Sequence, residues 1–241
     1  MSKTVLITGA TSGIGYASAQ MLKTEGYRVF ITGRNQARLD RAANELGVDA
    51  FLCDSTDADG IHNMAGQLKQ RGVTLDGLVL NAGIFYPRTL MDESWDNIQT
   101  TMNTNFAGPY LTLQALLPVM RQPASVVFMS SVAVTKAHPA CAVYAASKAA
   151  FEAAAAVFNL ELAAQGIRVN SVRPGVTLTE IQQKAGMSEE DIAGLAESLK
   201  ALPVGRILSP DDIVPAVQYL LSDASIALRN SHIAIDGGFG L

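Results

Sequence analysis

The sequence predicts a single-domain α/β protein, in which a doubly wound parallel sheet of about seven strands carries helices on both faces. Seven short apolar runs alternate with segments of helical period along the chain. The early runs are continuous stretches of Val, Ile, Leu and Phe, as expected of strands covered on both faces. This alternation implies βαβ units with right-handed crossovers. The 241 residues fit one α/β domain, since such domains often reach ~250 residues.

Each predicted element follows from its local pattern. The apolar runs that predict strands are 4–8, 28–32, 49–53, 76–80, 124–130, 167–172 and 231–235. The helical patterns cover 14–25, 36–46, 57–71, 95–120, 143–165 and 211–222. The weakest region is 176–209, where glycines and prolines surround a short helical pattern near 188–200. Because loops at the carboxyl ends of parallel strands usually form the ligand crevice, this region is interpreted as a mobile flap, with a well-packed connection as the alternative.

Composition argues against several classes of protein. Hydrophobic residues make up 49% and charged residues 17%, which is a globular composition. The net charge of −4 argues against a broad nucleic-acid surface, and the lack of an apolar run of ~18 residues argues against a membrane span. No signal peptide is predicted. Cys53 and Cys141 lie far apart and the three histidines are scattered, so no disulfide framework and no metal site are predicted. The expected location is the reducing cytoplasm.

A glycine-rich turn links the first strand to the first helix. The sequence TGATSGIG places three glycines where a backbone would approach a pyrophosphate at a helix N-terminus, as in Rossmann-type nucleotide sites. The residues expected at the cofactor are Gly9, Thr11, Ser12, Gly13, Ile14 and Gly15. The spacing is G-x3-G-x-G rather than G-x-G-x-x-G, so a plain connecting turn is the alternative.

The end of the second strand carries the signal for cofactor choice. No carboxylate stands there to bind a ribose 2′-hydroxyl, whereas Arg34 can form charge-assisted bonds to a 2′-phosphate. NADP(H) is therefore favoured over NAD(H), with a solvated arginine as the alternative. Asp54 either accepts from the adenine amino group or caps a helix beginning near Thr56. Asn81-Ala82-Gly83, after the fourth strand, leaves room beside the cofactor or forms a plain turn.

A catalytic set is predicted at the ends of the later elements. Tyr144 and Lys148 are four residues apart and share one helix face, with Ser131 at a strand end and Asn105 on the preceding long helix. Moving a tyrosine pKa from ~10 to ~7 requires about 4 kcal/mol. An ammonium ~5 Å away supplies roughly 3 kcal/mol at an effective dielectric of ~20. Lys148 is therefore expected to lower the pKa of Tyr144 for proton exchange with a carbonyl or alcohol, while Ser131 donates to the substrate oxygen.

Together these motifs resemble the short-chain dehydrogenase/reductase family over essentially the whole chain. The resemblance lies in TGATSGIG (8–15), Asp54, NAG (81–83), NTNFAG (103–108), SS (130–131), YAASK (144–148), IRVNSVRPG (167–175) and DGG (236–238). It implies that Tyr144 is the general acid/base, that Lys148 binds the nicotinamide ribose, and that Asn105 holds a water in a proton relay. It also implies that the segment after the sixth strand flanks the nicotinamide, through Pro174, Gly175, Val176, Thr177 and Thr179. Asn230-Ser231 departs from the usual Thr-Gly of the family.

The substrate expected from the sequence is a small or medium ketone, aldehyde or secondary alcohol. The predicted pocket wall is mostly apolar and consists of Ile84, Phe85, Tyr86, Val132, Ala133, His138 and Val176, below the 177–200 segment. Ser131, Ala133, His138 and Tyr144 are the candidate substrate contacts, although for His138 the sequence favours a solvated loop histidine over a contact with a polar substrate group. The predicted function is NADP(H)-dependent hydride transfer. The alternatives are an NAD(H)-dependent dehydrogenase and a non-catalytic nucleotide-binding protein.

The predicted helix 145–163 is rich in alanine. Alanine around most of the helix leaves few long polar side chains to face water, which favours burial of this helix on more than one side. Packing between the subunits of a homodimer or homotetramer would provide that burial. The long helices at 95–120 and 143–165 are the expected interface. High helix propensity within a monomer is the alternative.

Overall fold

Seven parallel strands form the central sheet of the computed structural model, which describes residues 2–241. In chain order they are β1 Thr4–Ile7, β2 Arg28–Gly33, β3 Asp49–Leu52, β4 Leu75–Leu80, β5 Met120–Met129, β6 Arg168–Pro174 and β7 His232–Ile235. Across the sheet the order is β3-β2-β1-β4-β5-β6-β7, and every neighbouring pair is parallel. The predicted doubly wound sheet is confirmed.

Helices cover both faces of the sheet in the described part of the chain. They are α1 Gly13–Thr24, α2 Gln36–Leu46, α3 Ala58–Gln70, α4 Trp95–Met102, α5 Gly108–Leu116, α6 Ala142–Glu161, α7 Glu180–Lys184, α8 Glu189–Ser198 and α9 Pro210–Leu221. Successive strand residues point to opposite faces, so Leu6 packs in one buried cluster and Ile7 in the other. The first cluster also contains Phe151 of α6, and the second contains Leu22 of α1 and Val217 of α9.

The single helix predicted over 95–120 is wrong. A π-helical segment, Asn103–Ala107, separates α4 from α5, and a 3₁₀ turn at Leu117–Val119 leads directly into β5. Pro118 sits in the first turn of that 3₁₀ segment, where its missing N–H costs nothing. β5 begins four residues before the predicted strand, because Met120 pairs with Leu75 before the register shifts at Gly77.

The 176–209 segment contains its own helices and is partly buried. α7 and α8 lie within it, and Leu199 and Leu208 are buried. α7 was not predicted. A Thr179-x-x-Gln182 capping box begins it, with the Thr179 hydroxyl accepting from the Ile181 N–H and the Gln182 carboxamide accepting from the Thr179 N–H. This pattern is readable in sequence and is the signal that could have found the helix.

Candidate active site

A cavity of about 550 Å³ opens along the carboxyl ends of the strands. Sheets of this kind bind ligands where the strand order reverses, which here lies between β1 and β4. Every predicted cofactor and catalytic residue lines this cavity except Gly15 and Asn105, which lie behind it. The structure thus brings together residues that are as far apart in sequence as Gly9 and Thr179.

The glycine turn is packed against the loop that follows β4. Asn81 donates through Nδ2 to the carbonyl oxygens of Thr8 (2.9 Å) and Gly9 (3.0 Å). A Cβ on Gly9, whose φ is +63°, would lie 2.8 Å from the Cα of Ala82, and one on Gly15 would lie 2.4 Å from Asn81 Nδ2. Gly9 and Gly15 are therefore required by contacts within the protein itself. Both were predicted from the cofactor alone.

The first turn of α1 leaves donors for an anion. The backbone of its N-cap residue, Ser12, is extended, and the Ser12 side chain makes no capping hydrogen bond. The N–H groups of this turn are therefore not bound by the Ser12 hydroxyl. A Cβ on Gly13, whose φ is +58°, would lie 3.2 Å from the Cβ of Thr179, the N-cap of α7. The pyrophosphate site predicted from the sequence is thus bordered by the segment after β6.

Two arginines lie at or near the end of the cavity that follows β2: Arg34 lines the cavity and Arg38 lies outside its lining. Arg34 is exposed, lines the cavity after β2, and has no ion pair within residues 2–241. Arg38, one turn into α2, forms an ion pair with Glu180 of α7, and Lys184 also contacts Glu180 at 3.0 Å. Burial raises the pKa of Glu180, but hydrogen bonds from Arg38 and Lys184 outweigh it and hold that pKa below its usual value.

Asp54 does not cap a helix. Its Oδ1 accepts from the backbone N–H and the hydroxyl of Thr56, both at 2.9 Å, and α3 begins at Ala58 with Asp57 as its N-cap. The capping alternative for Asp54 is therefore wrong, because the helix starts later than the sequence pattern indicated. The carboxylate is held in a tight turn beside the cavity.

Ser131, Tyr144 and Lys148 meet at the middle of the cavity. Ser131 caps a 3₁₀ turn after β5 by accepting from the Ala133 N–H at 3.2 Å. Lys148 donates from Nζ to the Met129 carbonyl oxygen at 2.7 Å, and Nζ lies 5.9 Å from the Tyr144 ring centroid. The i, i+4 spacing on α6 brings the two side chains to one face, as predicted.

The pKa of Tyr144 is shifted in the direction opposite to the one expected from the sequence. Burial raises the pKa of its hydroxyl above the usual value, and a hydrogen bond with Ser131 only partly opposes this. Burial also lowers the pKa of Lys148 to about 8, although the Glu152 carboxylate raises it. The sequence argument counted the ammonium as a full charge beside the phenol. It omitted the cost of burying both groups, which opposes either charge.

Asn105 lies behind this set, in the π-helical segment. Its Oδ1 accepts from the Ile84 N–H at 2.9 Å, and its Nδ2 donates to the Ile84 carbonyl oxygen at 2.9 Å and to Ser147 Oγ at 3.0 Å. Gly83 fills the space between Asn105 and Lys148, since a Cβ there would lie 3.1 Å from Lys148 Nζ and 3.3 Å from Asn105 Oδ1. The buried amide thus fixes the loop after β4 against α6.

The substrate end of the cavity is mostly apolar. Phe85 packs edge-on against Tyr144 with ring centroids 5.0 Å apart, and His138 stacks on Phe239 at 4.8 Å. Tyr86, predicted in the wall, does not line the cavity. The sequence analysis missed Cys141 and Phe239 among the lining residues, whereas Leu195, Ser198 and Leu199 come from the 177–200 segment that was expected above the pocket. Phe239 comes from the C-terminal turn, and only the DGG that positions this turn was visible in sequence.

Other kinds of site find no support in the residues that the structure describes. No group of three or more His, Cys, Asp or Glu side chains there could hold a metal ion, and both cysteines are free. Among residues 2–241 there is no helix with the length and apolar character needed to cross a bilayer.

Residues 9–240 match the family model described as Enoyl-(Acyl carrier protein) reductase. The 3-oxoacyl-[acyl-carrier-protein] reductase FabG of Thermotoga maritima is 32% identical over 98% of this chain and 97% of its own length. The D-threitol dehydrogenase of Mycolicibacterium smegmatis is also 32% identical, over 98% and 92%.

Solved structures agree with these relatives. A short chain dehydrogenase/reductase family protein superposes with a TM-score of 0.86 at 32% identity, covering 98% of this chain and 96% of that one. Levodione reductase superposes with a TM-score of 0.90 at 25% identity, with the same coverage. The chain therefore belongs to the short-chain dehydrogenase/reductase family, whose enzymes use a nicotinamide cofactor to act on carbonyl and alcohol groups.

Proposed function

We propose that the protein is an NADP(H)-dependent oxidoreductase that interconverts a carbonyl compound and a secondary alcohol, with Tyr144 as general acid/base. One observation carries the proposal. Ser131, Tyr144 and Lys148 converge in the cavity that also contains the glycine turn and Arg34. A proton-exchanging set next to a dinucleotide-sized cleft suits hydride transfer, which moves a hydride and a proton in one turnover.

The cavity fits a dinucleotide. The turn at 9–15 and the first N–H groups of α1 would bind the pyrophosphate, and Arg34 would bind the 2′-phosphate. Asp54 and Asn81-Ala82-Gly83 border the adenosine side, while Pro174, Gly175, Val176, Thr177 and Thr179 border the nicotinamide side. A bound nicotinamide supplies or accepts the hydride.

The chain's own residues handle the proton. Tyr144 keeps its hydroxyl protonated at neutral pH because burial raises its pKa, so it is poised to donate to the substrate oxygen during reduction. Ser131 donates a hydrogen bond to that oxygen, where negative charge develops. Lys148 holds a positive charge below the phenol, which stabilises the phenolate left after donation. Asn105 keeps the loop at Ile84 in place and would position a water for proton resupply.

The substrate class follows from the wall of the cavity. Ala133, Val176 and Phe85 line the cavity with apolar groups, and His138 adds a polar side chain whose Nε2 is buried and has no hydrogen-bond partner in the described part of the chain. The relatives include a reductase named for 3-oxoacyl chains and a dehydrogenase named for D-threitol, so they support the oxo/hydroxyl class and no single compound. A small or medium ketone, aldehyde or secondary alcohol fits.

The testing experiment measures cofactor oxidation by the purified protein. NADPH and NADH are offered separately with aldehydes, ketones, diketones, keto esters and quinones. The expected result is turnover with NADPH well above that with NADH. Preference for NADH would replace the cofactor assignment with the NAD(H)-dependent alternative. Cofactor binding without turnover on any carbonyl or alcohol would favour the non-catalytic alternative.

The assembly we propose is a homodimer or homotetramer through α5 and α6. The outer face of these helices exposes Leu160 (79%), Val157 (50%) and Tyr110 (37%). Large exposed apolar side chains on one surface are typical of a protein interface. This supports the subunit contact expected from the alanine-rich helix.

A further inference from the structure

A buried charge cluster lies directly behind Lys148 and has no part in the chemistry described so far. Glu152 follows Lys148 by one helical turn on α6, and both residues are buried, at 6% and 3% exposure. Arg173, the residue before Pro174 on β6, donates to Glu152 through Nε at 2.9 Å and through its terminal nitrogen at 2.6 Å. His232 of β7 places Nδ1 3.5 Å from the same carboxylate.

The cluster lies between Lys148 and the residues after β6 that are proposed to border the nicotinamide. Residues four apart on a helix are neighbours on one face, and the charge of Glu152 raises the pKa of Lys148. Arg173 precedes Pro174 and Gly175, which line the cavity. A buried carboxylate one helical turn from an ammonium stabilises it, and the arginine that binds the carboxylate opposes that effect.

The remaining neighbours of Lys148 contribute dipoles and little charge. β5 supplies the Met129 carbonyl oxygen and the Phe128 ring, whose centroid lies 4.9 Å from Nζ. The π-helical segment supplies Asn105, and α6 supplies Tyr144, whose raised pKa keeps it neutral. Among residues 2–241, the charged group that acts on the ammonium is therefore Glu152 on α6, which Arg173 on β6 binds. His232 of β7 is uncharged above neutral pH because burial lowers its pKa.

We propose that Glu152 is a positioning residue for catalysis: its carboxylate, oriented by Arg173, keeps Lys148 charged in its buried site. This inference rests on the proposed function, because it assigns the cluster to the lysine that supports Tyr144. Loss of the carboxylate leaves burial and Arg173 unopposed, so Lys148 loses its proton at lower pH. Loss of the arginine frees the carboxylate, so Lys148 keeps its proton to higher pH.

The alkaline limb of the pH profile of kcat/KM for carbonyl reduction reports the deprotonation of Lys148. Lys148 has a pKa of about 8 and Tyr144 a pKa above its ordinary value, so the lysine titrates first as pH rises. We expect Glu152→Gln to move that limb of kcat/KM down by about one pH unit and Arg173→Gln to move it up by a similar amount. Glu152→Asp, which keeps the charge, should leave the limb close to that of the wild type.

The measurement is kcat/KM for carbonyl reduction between about pH 7 and pH 10, with thermal unfolding of each variant recorded alongside. A purely structural ion pair would cost stability and activity in both neutral variants without moving the limb in opposite directions. Shifts in the same direction, or no shift, would overturn the inference. If Glu152→Gln does not fold, Arg173→Gln is the deciding variant. An alkaline decline of kcat/KM at the same pH as in the wild type, or at a lower pH, would then contradict the proposal.

The same variants separate this inference from the proposed function. Wild-type protein that reduces no carbonyl with either cofactor would refute the proposed function. In that case the pH dependence of NADPH affinity still reports Lys148, because the ammonium is expected to bind the ribose hydroxyls. Opposite shifts of the affinity profile in Glu152→Gln and Arg173→Gln would support the cluster's role, and coincident profiles would refute it.

Discussion

Replacing Arg34 by Gln should convert a preference for NADPH into near-indifference between the two cofactors. Arg34 is exposed at the cavity rim and has no ion pair within the described chain, so its guanidinium is available for a phosphate. Hydrogen bonds to charged groups contribute about 1.5–3 kcal/mol. A loss of ~2 kcal/mol corresponds to a roughly 30-fold fall in kcat/KM with NADPH, at ~1.4 kcal/mol per tenfold. NADH lacks the 2′-phosphate and should be used unchanged.

Arg38→Gln is the matched control for this prediction. Arg38 lies one helical turn away, but its guanidinium is engaged by Glu180. Because exposed ion pairs contribute at most ~1 kcal/mol, its loss should change the NADPH/NADH ratio by less than about fivefold. The assay is kcat/KM with each cofactor at a fixed carbonyl concentration. An unchanged ratio in Arg34→Gln, an equal loss with both cofactors, or a larger change in Arg38→Gln would refute the assignment of the 2′-phosphate site.

Three further variants test the site, the turn and the assembly. Tyr144→Phe should retain nucleotide binding, measured by fluorescence titration, and lose nearly all turnover, because the proton donor is gone; near-normal turnover would contradict its role. Gly15→Ala should lower the free energy of unfolding by about 1–3 kcal/mol, since its Cβ would lie 2.4 Å from Asn81 Nδ2. The control is Gly66→Ala, on helix α3 with open space around the residue, which should raise the free energy of unfolding by about 0.5–1 kcal/mol. Thermal unfolding of both variants measures these changes. Leu160→Asp should yield monomers in light scattering, and wild-type protein that is itself monomeric at micromolar concentration would contradict the proposed interface.

The sequence was sufficient for the sheet and for most of the cavity. Buried parallel strands are continuous apolar runs, and their carboxyl ends share one edge, so residues after β1, β2, β4 and β5 were expected to meet. The spacing of Tyr144 and Lys148 fixed their common face once the helix was known. These features depend on local pattern and on simple rules of topology.

The features that sequence reasoning missed depend on tertiary packing. Phe239 reaches the cavity because the C-terminal turn folds back onto His138, and no local pattern encodes that return. The raised pKa of Tyr144 depends on how deeply α6 is buried, which the spacing of two residues does not reveal. Asn230 is a smaller case, since its φ of 51° shows that an asparagine adopts the left-handed turn where the family commonly has Thr-Gly.

The π-helical segment between α4 and α5 constrains how this stretch of chain can vary in length. A π-turn accommodates one residue more than an α-turn, so the side chains after it are rotated by about 100° relative to an uninterrupted α-helix. Leu113 and Leu116 reach the core, and Asn105 reaches Ile84, only with that offset in place. Removal of one residue from 103–107 would close the π-turn into a regular α-helix and leave Leu113 and Leu116 facing the core, because the rotation of one residue equals that offset. The local geometry that carries Asn105 to Ile84 would be lost. The length of this stretch is therefore fixed by the contacts of Asn105 rather than by the packing of α5, and a one-residue gap here in a sequence alignment marks the presence or absence of the π-turn.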